Sequence, residues 1–261
     1  DFLAKVRDPM VQCLSDAGIA EQVLFVAVTR GVPGVVTETG EPVIGQELKA
    51  ADSFLADPLD EWQGNTNGYF ESTMSFSREN GFRGYLVTRL DGPTVQIARS
   101  LVDRAIAEEA WSLESGGVGY FDLEPNGDDA VSRSVIENVG EQGNGWIQAT
   151  ADSLLAEGWQ VVVDDLDSEF GTAPSQLTCP YARWFFGWYE PFHYNDAFSW
   201  APGAVGIHLD SFSAMNYRSD GSWVSGALKA GITATAGAVW EPYSSGFIRG
   251  DLFLEGFVVR K

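Results

Sequence analysis

Runs of β-branched and aromatic residues recur along the chain, each followed by a stretch with helical spacing, and this alternation leaves few folds open. Two parallel strands need a crossover long enough to hold a helix, so strand–helix alternation predicts a parallel sheet with helices packed on it. The strand runs are Val23–Thr29, Arg83–Leu90, Gly117–Leu123, Gln160–Asp165, Ala182–Tyr189, Ala204–Leu209 and Thr233–Trp240. They read as strands buried on both faces, and the run Ala204–Leu209 is expected in the sheet interior. Helical spacing covers Leu3–Ala17, Pro93–Glu109, Asn144–Ala156, Trp223–Ala230 and Asp251–Phe257. In the second of these, Val95, Ala98, Val102, Ala105 and Ile106 share a face that is expected to lie on the sheet, with Pro93 in the first turn. The fold class is therefore α/β, three-layered, with a mostly parallel sheet and helices on both faces.

Gly64–Gly81 and Asp165–Pro180 are rich in Gly, Ser, Thr, Asn and Asp and read as surface loops. There is no internal repeat, linker or shift in composition, so residues 1–261 are expected to form a single domain. Against 16 Lys and Arg stand 37 Asp and Glu, a net charge of -21, which repels a polyanion and argues against nucleic acid as a partner. No apolar run approaches the length of a membrane span. Cys13 and Cys179 are compatible with one long-range disulfide or with two free thiols. Only Lys5, Lys49, Lys229 and Lys261 carry an ammonium, a balance that fits a salty or extracytoplasmic setting.

Ligands of open parallel sheets bind beyond the carboxyl ends of the strands, and here those ends are acidic: Asp91, Asp122, Asp164-Asp165, His208-Leu209-Asp210-Ser211 and Glu241. Several carboxylates with one histidine can hold a divalent cation or supply an acid–base pair. Asp91 also fits a helix cap, Asp164 and Asp165 a solvated loop, and Asp122 either a turn or a site. His208, two residues before Asp210 and three before Ser211, is placed as a base or ligand, or else as a buried ring bonded to a backbone carbonyl. With Glu241 as a further carboxylate, these four residues form the candidate catalytic set. His193 reads as a surface residue. No Gly-x-Ser-x-Gly elbow, dinucleotide fingerprint, phosphate loop, zincin helix or zinc-spaced cysteine pair is present.

Tyr181 to Trp200 holds ten aromatics in twenty positions. Trp188, Tyr189, Tyr194 and Trp200 are the candidate ligand-binding rings if the segment from Tyr189 stands open to sugar or peptide; the alternative is a loop folded down on its own aromatics.

Taken in order, Val26–Pro33, Ala51–Leu55, Tyr85–Thr94 with its Arg-Leu-Asp-Gly-Pro-Thr string, Gly187-Trp188-Tyr189, Pro202–Ala214 and Gly231–Tyr243 with its Glu-Pro-Tyr string resemble an uncharacterised family of secreted bacterial proteins. The resemblance implies an extracytoplasmic location and a chain that is a fragment of a longer one. A more distant likeness is to gingipain-like, caspase-type cysteine peptidases. In these a His-Gly follows one strand and a nucleophilic Cys the next; here Gly187-Trp188 and His208–Ser213 occupy those places without the dyad. What the likeness implies is a caspase-like or flavodoxin-like scaffold bearing a hydrolase-like or pseudo-peptidase site. Its counterpart is a non-catalytic module that holds a small molecule, glycan or protein through the aromatic loop.

Overall fold

The computed structural model describes residues 2–37, 48–57, 74, 76–108, 116–124, 139–190, 192–241 and 247–258. Where the sequence suggests one domain, the chain divides into two compact units, Asp1–Asp91 and Gly92–Lys261.

In the first unit a π-helical turn over Leu3–Arg7 leads into helix α1 (Asp8–Asp16), and strands β1 (Phe25–Thr29) and β4 (Leu86–Leu90) pair in parallel with each other. Strands β2 (Val35–Thr37) and β3 (Leu48–Ala50) form an antiparallel pair that runs straight into α2 (Ala51–Ala56); neither the pair nor the short helix is among the expected elements. β1 and β4 expose much of their length, unlike the doubly buried strands expected. Arginines hold this unit. Arg78 donates to the carbonyls of Val23, Phe82 and Gly84 at 2.7 to 2.9 Å. Arg89 donates to Val32 O and Pro33 O and forks onto Asp52. Asp91 is buried between Arg30 and Arg89 at 3.3 and 3.6 Å, an ion-paired carboxylate rather than the expected helix cap.

The second unit is a sheet of five parallel strands, β5 (Val118–Asp122), β6 (Gln160–Asp164), β7 (Cys179–Gly187), β8 (Phe198–His208) and β9 (Ala234–Ala236), in the order β6-β5-β7-β8-β9. As expected, β8 is interior, and successive side chains go to opposite layers. Tyr120 and Phe185 pack with Leu101 of α3 (Val95–Ala107) and Trp223 and Leu228 of α5 (Trp223–Ala230). Phe121, Trp184, Phe186 and Ile207 pack with Ile147 and Leu154 of α4 (Val139–Ala156) and Leu254 of α6 (Gly250–Val258). The three layers are thus helix, parallel sheet, helix.

Two local expectations change. Thr94, accepting from Ile97 N at 3.1 Å, caps α3, so Pro93 precedes the helix instead of opening it. The buried stripe of α3 is Ala98 and Leu101, while Val95, Val102 and Ile106 are exposed, because the helix is rotated from the face its apolar residues suggest. The segment 165–180 is irregular until Cys179 enters β7, anchored by fully buried Phe170, and Gly64–Gly81 lies mostly outside the described residues.

Candidate functional site

The parallel register sets Asp164, Asp122, Gly187 and His208 in one row across the carboxyl ends of β6, β5, β7 and β8. Residues in such a row point to the same face of the sheet. Gly187 lacks a side chain for a geometric reason: a Cβ there would meet Asp122 Cβ at 2.5 Å and Asp122 N at 2.9 Å. Beyond this row opens a cleft of about 340 Å³ lined by residues of 122–124, 166–169, 188–190 and Asp210. Among the described residues that line it, six carry carboxyl groups, namely Asp122, Glu124, Asp167, Glu169, Glu190 and Asp210, and none is Lys, Arg or His.

Burial and like charge decide the protonation of these groups. Asp122 is 3% exposed, and its carboxyl is pushed up to about 8, first by desolvation and then by Asp164 alongside, with Glu169 and Glu124 adding to it against one backbone N–H from Phe170. Its Oδ2 is buried without a hydrogen-bond partner. Asp164, read from sequence as a solvated loop residue, is instead buried, with Oδ1 accepting from Leu166 N at 3.0 Å and Oδ2 likewise unpartnered. Asp165 is exposed. Asp210 rises to about 7, chiefly through desolvation and then Glu241, Glu124 and Glu190, against the backbone N–H of Ser211 at 2.5 Å. Glu124 acts on both Asp122 and Asp210.

His208 takes the other of its two sequence readings. Its ring is 3% exposed, lies parallel on Trp223 at 5.1 Å and donates through Nε2 to Tyr189 O at 3.0 Å. Burial lowers its pKa to about 3, so the ring is neutral, and Nδ1 faces no partner. A general base must reach solvent or substrate, and this ring does neither. Ser211 donates its hydroxyl to Glu241 Oε2 at 2.6 Å. Phe212 next to it adopts φ of +61°, a left-handed conformation costly for a bulky residue, which turns the chain sharply after the Asp210-Ser211 pair.

The aromatic segment folds inward. Tyr189 donates to Phe170 O and accepts from Asn195 N, Trp200 Nε1 donates to Tyr194 OH at 3.0 Å, and Trp188 Nε1 donates to Asn144 Oδ1 at 2.8 Å. Tyr194 and Phe198 pack toward Trp223 and Trp200, and the Tyr189 ring lies in the core against Phe185, His208 and Trp223, so of the proposed binding rings only half-buried Trp188 borders the cleft. Phe192, stacked on Phe212, and His193 are exposed. Both cysteines are free thiols, Cys13 exposed and Cys179 buried. Among the described residues no three His, Cys, Asp or Glu side chains converge as a metal ion requires.

The acidity of the strand ends is visible in the sequence, but Asp122 carries no local mark separating a site from a turn. Glu124, Asp167, Glu169 and Glu190 join it only because separate loops meet above β5 and β7. Comparison with protein-family models, with curated proteins and with solved structures finds no significant match to this chain. Among the described residues no helix is long and apolar enough to cross a membrane.

Proposed function

We propose that the cleft is the acid–base site of a hydrolase-like protein, with Asp122 as proton donor and Asp210 as the group that accepts a proton from water or substrate. The observation that carries this reading is the placement of two carboxyls from different strand ends, buried Asp122 and half-buried Asp210, on one open cleft. A carboxyl at about 8 holds its proton at neutral pH and can give it up, while one at about 7 is partly ionised and can take one. Ser211 and Glu241 hold the turn that presents Asp210, and His208 belongs to the core beneath it. The inward packing of Tyr194 and Trp200 favours this reading over a module that binds through an open aromatic loop.

The caspase-like scaffold is part of the same proposal, supported by β7 and β8 lying side by side with their carboxyl ends at one row. So is an extracytoplasmic setting, supported by the charge of -21.

The test is a panel of chromogenic esters, glycosides and peptides assayed with the protein and with Asp210→Asn and Asp122→Asn. A hydrolysis that falls at least about 100-fold in kcat in each variant, with a bell-shaped pH profile in the parent protein, is the expected result. Equal turnover by parent and Asp210→Asn would remove the reading.

A further inference from the structure

We propose that the outward face of α3 is a dimer interface, at which two copies of this chain pack α3 against α3, antiparallel about a two-fold axis. The face consists of Val95, Arg99, Val102 and Ile106, spaced by four, three and four residues and so aligned along one side of the helix. Ala98 and Leu101 occupy the buried side. Val95, Val102 and Ile106 are 46%, 39% and 65% exposed. A single apolar side chain on a surface is ordinary, but three in file on one helix form a patch. All three are β-branched, a type that a solvated helix face does not favour, so helix propensity does not account for them.

The occupant is a second copy because the face is complementary to its own image. An antiparallel copy centred between Ser100 and Leu101 sets Val95 beside the partner's Ile106 and Arg99 beside the partner's Val102. Such a two-fold axis keeps each flank of one helix on the same flank of the other. Asp103 shares a flank with Arg99, one turn further on, so Arg99 comes level with the partner's Asp103 to within about 1.5 Å along the axis. Symmetry forms this pair twice. Both residues are exposed, and among the described residues neither makes an ion pair within the chain.

Charge also favours this place for self-association. Two chains of net charge -21 repel over most of their surfaces, yet Val95–Ala107 carries two arginines and one aspartate. Arg104 turns inward and donates to Ile232 O at 2.9 Å, which leaves one arginine and one aspartate outside and the face neutral. Glu108, next along, pairs with Arg183. The helix has 13 residues and is about 20 Å long, so a single helix pair makes a small interface and a weak dimer, with Kd roughly 10 to 100 µM. Association through α3 is independent of the acid–base reading of the cleft.

Sedimentation equilibrium of the full chain at pH 7 and about 0.15 M salt, from about 5 to 500 µM, reads the association directly. The parent mass should climb from monomer toward dimer and stop there. Ile106→Asp should stay monomeric throughout, with a melting temperature within a few degrees of the parent at the lowest concentration because the site is exposed. Arg99→Asp sets like charges together at both pairs, and so does Asp103→Arg, and each should weaken the dimer about tenfold or more. An equimolar mixture of these two variants places opposite charges at both pairs again. The mixture should regain the parent's affinity within about threefold, as should the chain carrying both changes.

A parent chain that remains monomeric at 500 µM would overturn the interface. So would a folded Ile106→Asp chain that associates as the parent does, since the contact would then lie elsewhere. Charge variants that dimerise like the parent, or a mixture that recovers nothing, would remove the antiparallel register on which the second copy was chosen. Loss of hydrolysis in Asp210→Asn with dimerisation intact keeps both readings, and dimerisation in a protein without hydrolytic activity keeps this one alone.

Discussion

Asp122 and His208 end β5 and β8 in the same row of the same sheet, both 3% exposed and both ionisable. Desolvation disfavours the charged form of each, which raises the carboxyl and lowers the imidazole, so both stand neutral at pH 7. What separates them is the company they keep. His208 is enclosed by Trp223 and Tyr189, whereas Asp122 borders open space crowded with other carboxyls. Two strand spacings, roughly 10 Å, lie between their backbones, with Gly187 between them. Burial alone therefore does not mark a functional group; access and like-charged neighbours do.

The strongest way to break this contrast is to open the enclosed side. Trp223→Ala removes a fully buried ring that stacks on His208 and on Phe185, and a loss of about 3 to 5 kcal/mol in chemical denaturation is expected. A loss near zero would mean that His208 is not held as described. Gly187→Ala attacks the partition between the two groups. Its Cβ would press on Asp122 at the cleft's base, and a cost of about 1 to 3 kcal/mol in chemical denaturation is expected. Unaltered stability would contradict the close approach.

The pH dependence of stability sharpens the comparison, since the two groups oppose one another. Asp122 titrates at about 8 in the folded protein against 3.8 ordinarily, so its contribution is complete below about 4 and is lost as pH rises through about 8. His208 titrates at about 3 against 6.5, so its contribution is present above about 6.5 and is lost as pH falls through about 3. Thermal melts of Asp122→Asn between pH 5 and 9 should show a gain over the parent that grows with pH, about 1 to 3 kcal/mol at the alkaline end. His208→Phe keeps a ring on Trp223 and gives up the bond to Tyr189 O. It should cost about 1 kcal/mol at pH 7, flatten the acid limb and leave any hydrolysis in place. A hydrolysis abolished by this variant at unchanged stability would return His208 to the catalytic set.

The smallest effect concerns the thiols. Cys179 is buried, and desolvation together with Asp122 and Asp164 pushes its thiol up to about 12, whereas Cys13 is exposed. One reactive thiol per native chain, and two in denaturant, is the expected count with a disulfide reagent.

Much of the architecture was legible before any coordinates because periodicity records burial. The runs at 118–122 and 182–187 are apolar because both faces of those strands are covered, whereas 160–164, at the sheet edge, leaves Val163 exposed, and Trp223–Ala230 is bounded by Ser222, which caps it, and Gly231, whose φ of +108° ends it. The rotation of α3 was not legible, since Val95, Val102 and Ile106 make as good a stripe on paper as Ala98 and Leu101 do in the packed layer. Nor were β2 and β3, three residues each and too short to carry a period.

For the site the division falls differently. Sequence alone determined that the strands end in acidic residues, that Asp210 and Ser211 follow His208, and that no known catalytic motif accompanies them, because these are matters of order along the chain. Tertiary structure alone decided that His208 is sealed under Trp223, that Ser211 finds Glu241 thirty residues away, and that Asp122 shares a cleft with Asp210. Protonation depends on the dielectric and charge around a group, and those are set by residues from β5, β7, β8 and the loop after β6 that meet only when the sheet is formed.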